Sequence, residues 1–224
     1  MRLVCLSDTH NLHLEMKQSV PDGDVLIHAG DLTNTGDLAD VLSYVAWAKS
    51  LPHPHKIIIA GNHDYCFDPN GRLQKYTPDA AKALCDAGWS YLEDSSVEIE
   101  GTKFYGSPWQ PWFFGWAFNI RRGPALAEIW EKIPEDTDVL ITHGPPMGIL
   151  DQTAHGDAAG CEDLLARVEE INPLLHIFGH IHEAYGSKRQ GATLFVNPCI
   201  CTLRYQPTNM PIVVDLVNGS AVIE

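Results

Sequence analysis

The sequence predicts an α/β chain folded as a layered αββα sandwich. Short apolar runs alternate with segments of helical period, and alternation of that kind implies parallel strands buried on both faces. Hairpin-like runs add further, partly antiparallel strands. The composition agrees: 45% of the 224 residues are hydrophobic and 20% are charged, which excludes a disordered chain. That length buries a full core without covalent staples, and a single domain over residues 1–224 is expected.

Each element has its own signal. Leu3–Leu6, Val25–Ala29, Ile57–Ala60, Val139–Thr142 and Leu174–Phe178 are apolar runs of strand length. Between them, Leu38–Leu51 places Leu38, Val41, Leu42, Val45, Ala46 and Leu51 at helical spacing. Pro78–Ala87 and Ala125–Ile133 read likewise, and Cys161–Ile171 puts Leu164, Leu165 and Val168 on one face. Val97–Tyr105, Thr193–Asn197, Ile212–Leu216 and Ala221–Ile223 complete the strands.

Composition also bounds function. Fifteen Lys and Arg against 29 Asp and Glu leave a net charge of −14. Duplex nucleic acid is therefore not an expected partner, because phosphate neutralisation needs surplus cations. No apolar run exceeds about six residues, so no membrane association is expected. The run at the start is broken by Ser7 and Asp8, unlike a signal peptide. Six cysteines without a CxxC pair fit a reducing compartment, and a cytoplasmic location is expected.

The chemistry stands at the strand exits. Leu3–Leu6 leads to Ser7-Asp8-Thr9-His10, and Val25–Ala29 to Gly30-Asp31. Ile57–Ala60 leads to Gly61-Asn62-His63-Asp64, Val139–Ile141 to Thr142-His143-Gly144, and Ile177–Phe178 to Gly179-His180-Ile181-His182. Ligands of open α/β sheets bind outside the carboxyl ends of strands. One Asp or Asn after a strand is ordinarily a turn residue. Five independent exits that all carry ligand types are not explained that way. Asp8, His10, Asp31, Asn62, His143, His180 and His182 are thus candidate metal ligands. Imidazoles, carboxylates and one amide suit Mn, Fe or Zn rather than Ca, with Mn favoured. Seven ligands are too many for one ion with an open position, whereas two ions sharing a carboxylate fit. Gly30, Gly61 and Gly179 allow a sharp exit and close backbone approach. Of the other histidines, His13, His53, His55 and His155 read as solvated loop residues, and His28 and His176 as core groups.

Asp8-Thr9-His10, Gly30-Asp31, Gly61-Asn62-His63-Asp64, His143 and Gly179-His180-Ile181-His182 resemble, in order, the motifs of the calcineurin-like metallophosphoesterase superfamily. Gly106-Ser107-Pro108-Trp109, Trp116-Ala117-Phe118-Asn119, Thr142–Pro146, Gly179–Glu183 and Val196-Asn197-Pro198 look like its metallophosphoesterase-domain-containing brain-protein branch. Some members of that branch carry Gly for one motif histidine and are weakly active; this chain keeps both His180 and His182. It lacks the G-D-x-V-D-R-G motif of protein Ser/Thr phosphatases, since Leu32-Thr33-Asn34-Thr35-Gly36 follows Asp31. The resemblance implies a metallophosphoesterase sandwich with two divalent ions. Asp8, His10 and His182 would hold one, Asn62, His143 and His180 the other, and Asp31 would bridge. Such ions polarise phosphoryl oxygens and generate hydroxide at neutral pH.

His63 is then left without metal duty. Histidine is the side-chain type that changes charge near neutrality, so His63 is the expected general acid, with Asp64 orienting it. Residues 109–122 hold six aromatics and two arginines without a regular period, and are expected to form a loop. Trp109, Trp112, Phe113 and Trp116 could stack a base or merely cover the core. Trp109, Trp112 and Phe113, with Asn11 beside His10, are the candidate substrate contacts. The expected activity is hydrolysis of a small phosphodiester, nucleotide or cyclic nucleotide. The alternatives are a phosphomonoesterase or nuclease with the same centre, and a nucleotide-binding regulator with little turnover.

Overall fold

A computed structural model describes all 224 residues. Fourteen strands form two six-stranded sheets and one small ribbon. The first sheet contains β1 (Arg2–Leu6), β2 (Val25–Ala29), β3 (His55–Ile59) and β4 (Trp89–Tyr91), all parallel, with β13 (Ile212–Val217) antiparallel beside β1 and β14 (Ser220–Ile223) antiparallel to β13 at the edge. The second contains β6 (Thr102–Ser107), β9 (Val139–Thr142), β10 (Leu175–Ile177) and β12 (Thr193–Asn197) in parallel. Its antiparallel edges are β5 (Ser95–Ile99) and β11 (Gly186–Gln190).

The two-residue period of a strand sends alternate side chains to opposite faces. Along β1, Leu3 and Cys5 enter a core between the sheets with Ile57, Phe104, Val139, Leu175 and Val196. Val4 and Leu6 face the other way, under helices α1 (Leu38–Ala48) and α2 (Pro78–Asp86), where Val41, Tyr44, Ala80 and Leu84 cover them. Helices α3 (Pro124–Trp130) and α4 (Glu162–Ile171) cover the second sheet, packing Leu126, Trp130, Leu164 and Val168 on Tyr105, Leu140 and Phe178. The layers are αββα. Helix α2 is capped by Thr77, whose hydroxyl accepts from Asp79 N just before Pro78.

Two expectations need correction. His13 and His53 are not solvated: both are buried, with His13 Nε2 3.2 Å from Ser43 Oγ and His53 Nε2 2.9 Å from Pro21 O. Residues 109–122 are not a plain loop either. Gln110–Pro111 (β7) pairs with Asn119–Ile120 (β8), and Gln110 Nε2 donates to Asn119 Oδ1 at 3.1 Å. The aromatic stretch is pinned at its base, with Ala117 and Phe118 fully buried.

Candidate metal centre

The exits of β1, β2 and β3 meet the exits of β9 and β10 at one end of the sandwich. The sheets are stitched there: Ser7 N donates to Pro198 O and Ile200 N to Ser7 O. The ligand loops are sharply bent. Asp8, His10, Asp31 and His180 all have positive φ, between 44° and 68°, as does Asn11. Left-handed backbone at non-glycine residues costs of order 1 kcal/mol or more each and persists only where the surroundings enforce it. Here the enforcement is a backbone ladder between loops: Asp8 N to Gly30 O, His10 N to Asp31 O and Gly179 N to His143 O.

Three of the glycines are required by contact. A Cβ at Gly179 would stand 2.1 Å from Asp8 Oδ2, one at Gly61 2.3 Å from Asp31 Oδ1, and one at Gly30 2.6 Å from His143 Nδ1.

Six of the seven candidate ligands converge through their donor atoms. His182 Nε2 lies 3.2 Å from Asp8 Oδ1 and 3.1 Å from His10 Nε2. Asp31 Oδ2 lies 3.7 Å from His10 Nε2 and 3.4 Å from His143 Nε2, so this carboxylate stands between the two histidines. Asn62 Oδ1 is 3.0 Å from His143 Nε2. His180 is placed less tightly: its ring packs 5.2 Å from that of His143 and its backbone N–H donates to Asp8.

The donor set fits divalent metal. Asp8, His10 and His182 offer ligand atoms within 4.8 Å of one another, and so do Asp8, Asp31 and His143. A third such trio is His10, Asp31 and His63, so the geometry does not keep His63 apart from the donors as expected. His10 Nε2 and His182 Nε2 stand 3.1 Å apart beside the Asp8 carboxylate, an arrangement of donors that a shared cation would satisfy.

The electrostatics point the same way. Burial opposes ionisation of Asp8, yet His182, His143 and His10 hold its carboxyl well below the ordinary range. Asp31 is likewise held low against burial, by His143 and His63. Burial lowers His10 to about 4 and His180 to about 3, leaving neutral imidazoles, the form that binds metal. Burial would lower His143 too, but Asp31 raises it to about 9. His182 is raised against burial by its bond to Asp8. Without metal, protons occupy the positions between histidine and carboxylate.

His28 and His176, both fully buried, brace the ligand loops. His28 Nε2 is 3.0 Å from Thr9 Oγ1, between two ligands, and His176 Nε2 is 2.8 Å from Thr142 Oγ1, just before His143. The Cys199 thiol donates to Asp8 Oδ2 at 3.0 Å.

The expected role of Asp64 needs correction. Its carboxylate does not bond the His63 ring. It accepts from the N–H groups of Leu32, Thr33 and Gly61 and from the Thr33 hydroxyl. His63 Nδ1 instead donates to Asn34 O at 2.7 Å. Asp64 therefore shapes the loop that presents Asn34, and orients His63 only through it.

A cleft of about 280 Å³ opens over the donors. Asp31, Asn62, His63, His180 and His182 form its floor, and Phe113, Trp116, Leu203, Tyr205 and Glu183 are among its walls. Trp116 lies 4.1 Å from the His63 ring, and Tyr205 4.8 Å from that of His10. Of the expected substrate contacts only Phe113 lines this cleft. Asn11 turns away and donates to Asp40 at 2.8 Å. Trp109 is held by Asp94 and packs edge-on against Phe118, while Trp112, 57% exposed, borders a neighbouring depression. Leu203, Tyr205 and Glu183 were not anticipated. The first two sit in a coil segment without a ligand motif; Glu183 directly follows His182 and is the one that motif could have drawn in.

The family model for calcineurin-like phosphoesterase matches residues 1–184. This chain belongs to the calcineurin-like phosphoesterases, a family of metal-dependent hydrolases. It is 47% identical over 232 residues to metallophosphoesterase domain-containing protein 1 of Homo sapiens, a match spanning 96% of this chain and 71% of that protein. A UPF0046 protein of Caenorhabditis elegans is 44% identical, over 95% of this chain and 74% of its own length. Among solved structures, phosphopantetheinyl hydrolase from Mycobacterium tuberculosis shares the fold, with a TM-score of 0.60, 14% identity and 90% of each chain covered. No helix is long and apolar enough to cross a membrane.

Proposed function

We propose that the chain is a two-metal phosphodiesterase acting on small esters, with nucleotides or cyclic nucleotides as its substrates and Mn as its favoured metal. The observation that carries the reading is the position of Asp31, its Oδ2 between His10 and His143 on the floor of an open cleft. Asp8, His10 and His182 would hold one ion and Asn62, His143 and His180 the other, with Asp31 shared. When bound, the ions supply Lewis acidity and a nucleophile at neutral pH.

The chain's own contribution is orientation and one proton. The Asn34 carbonyl fixes the proton on His63 Nδ1, which turns Nε2 toward the cleft, 4.0 Å from Asp31 Oδ2. A proton carried on Nε2 is placed to reach the departing alkoxide. The neutral tautomer left behind is the one that Asn34 already stabilises. Trp116 packs against the imidazole and limits its rotation. Aromatic walls from two separate loops, Phe113 and Trp116 on one and Tyr205 on the other, give a spectator base a stacking surface.

The test is a comparison of metal-loaded protein on bis-p-nitrophenyl phosphate, p-nitrophenyl phosphate and a 2′,3′-cyclic nucleotide, with elemental analysis of the loaded protein. About two ions per chain and a higher kcat/KM on the diesters are expected. A single ion, or faster turnover of the monoester, would refute the reading. His63→Ala should slow alkyl esters by roughly 100-fold while sparing activated aryl esters.

A further inference from the structure

The walls of the cleft contain no lysine or arginine. The basic side chains near it are engaged elsewhere. Arg72 donates to the Tyr65 hydroxyl and lies 5.9 Å over the ring of Trp116. Arg122 is tied to the carbonyls of Ala159 and Gly160 and to Glu162, and Lys188 to Gly148 O. Arg204 follows Leu203 in sequence but does not line the cleft. The one charged group of the rim is acidic. Glu183 Oε1 accepts from Ala154 N at 2.5 Å, which anchors the carboxylate, and Oε2 has no protein donor.

A phosphate that enters this cleft meets its positive charge at the floor, from the ions that the ligands would hold. A second anionic group held within the cleft meets no guanidinium or ammonium on its walls, since Arg122 lines only the adjoining depression that shares Phe113, Ala159 and His180, and it approaches a free carboxylate oxygen. Sites that select terminal phosphates or polyphosphates are built with the opposite charge. Building on the diesterase reading above, we propose that Glu183 is a specificity-determining residue that restricts the cleft to phosphodiesters bearing a single negative charge. It disfavours a substrate arm with a second phosphate or a carboxylate and favours a neutral or cationic arm. Mononucleoside cyclic phosphates fall inside that class, and nucleoside polyphosphates fall outside it.

The test holds the leaving group constant and varies the charge of the other arm. Thymidine 5′-(p-nitrophenyl phosphate) is compared with the same ester bearing a 3′-phosphate, and p-nitrophenyl phosphorylcholine supplies a cationic arm. For the metal-loaded wild-type chain at low salt, the ester without the 3′-phosphate should have the higher kcat/KM by roughly 5- to 10-fold, the effect of one exposed like charge at short range. Salt at about 0.5 M should shrink that ratio by screening, whereas discrimination by size would survive it. Glu183→Gln should bring the ratio close to unity, and Glu183→Lys should invert it and depress the phosphorylcholine ester. If wild type turns over the diesters with no charge preference, or if the preference is insensitive to salt and to Glu183→Gln, this inference fails and the diesterase reading stands. If no diester is hydrolysed at all, the diesterase reading fails and carries this inference with it.

Discussion

At position 179 a Cβ would stand 2.1 Å from a carboxylate oxygen of Asp8 and 2.5 Å from Ser7 Oγ. Neither neighbour can retreat, since Asp8 is buried and held at once by His182, Cys199 and the His180 amide. Gly179→Ala should therefore displace Asp8 and lower metal content, read by elemental analysis, although Gly179 supplies no side chain. The titration of the ligands makes a second expectation. His143 is raised to about 9 and His182 is also raised, so protonated pairing with Asp31 and Asp8 stabilises metal-free protein fully below about pH 6.5, the ordinary histidine value. That contribution is lost as pH rises through about 9. His10, His28, His176 and His180 are lowered by burial to between about 3 and about 4, so folded protein resists their protonation and stability also falls as pH drops below about 6.5. Melting temperatures in chelator should peak near pH 6.5. Bound metal takes the place of the protons and should flatten the alkaline side.

Elements were legible in proportion to how their burial is patterned. Val25–Ala29 and Val139–Thr142 are found at the expected bounds, because both faces of a parallel strand are covered and leave a continuous apolar run. β11, Gly-Ser-Lys-Arg-Gln, was invisible: it is an edge strand with four of its five residues exposed, so nothing in its sequence had to be apolar. The donors that converge were readable because each follows a strand. Tyr205 and Leu203 were not, since their place over the cleft depends on tertiary folding of a coil. The same distinction separates the tryptophans of residues 109–122. Trp116 is packed on His63, and Trp116→Ala should lower kcat/KM by roughly 10- to 100-fold through misplacement of the imidazole. Trp112 is exposed outside the cleft, and Trp112→Ala should leave both kcat/KM and the melting temperature close to wild type.

Across the whole molecule, the donors are divided between the sheets. Asp8, His10, Asp31 and Asn62 leave the first sheet, and His143, His180 and His182 leave the second. Ions held by both groups would clamp two layers whose other large contact is the apolar core between them. Metal at about 100 times its Kd contributes about 2.7 kcal/mol per site to folding. For a chain of this size each kcal/mol raises the melting temperature by roughly 2–4 °C. Loading one such site should therefore raise the melting temperature by roughly 5–10 °C over chelated protein. An unchanged melting temperature on loading would mean that the folded chain does not hold the ions in preference to the unfolded one.

The pairing of β1 with β13 joins residues 2–5 to residues 212–215. During synthesis β1 emerges long before its partner β13. Until then β1, which leads into Asp8 and His10, has an open edge, and the inter-sheet core lacks Ile212, Val214 and Ala221. The first sheet thus stays incomplete during synthesis until β13 and β14 follow, although every strand of the second sheet precedes them. Ribosome-stalled chains that end near residue 205 should be digested by protease, whereas a released chain that includes β13 and β14 should resist.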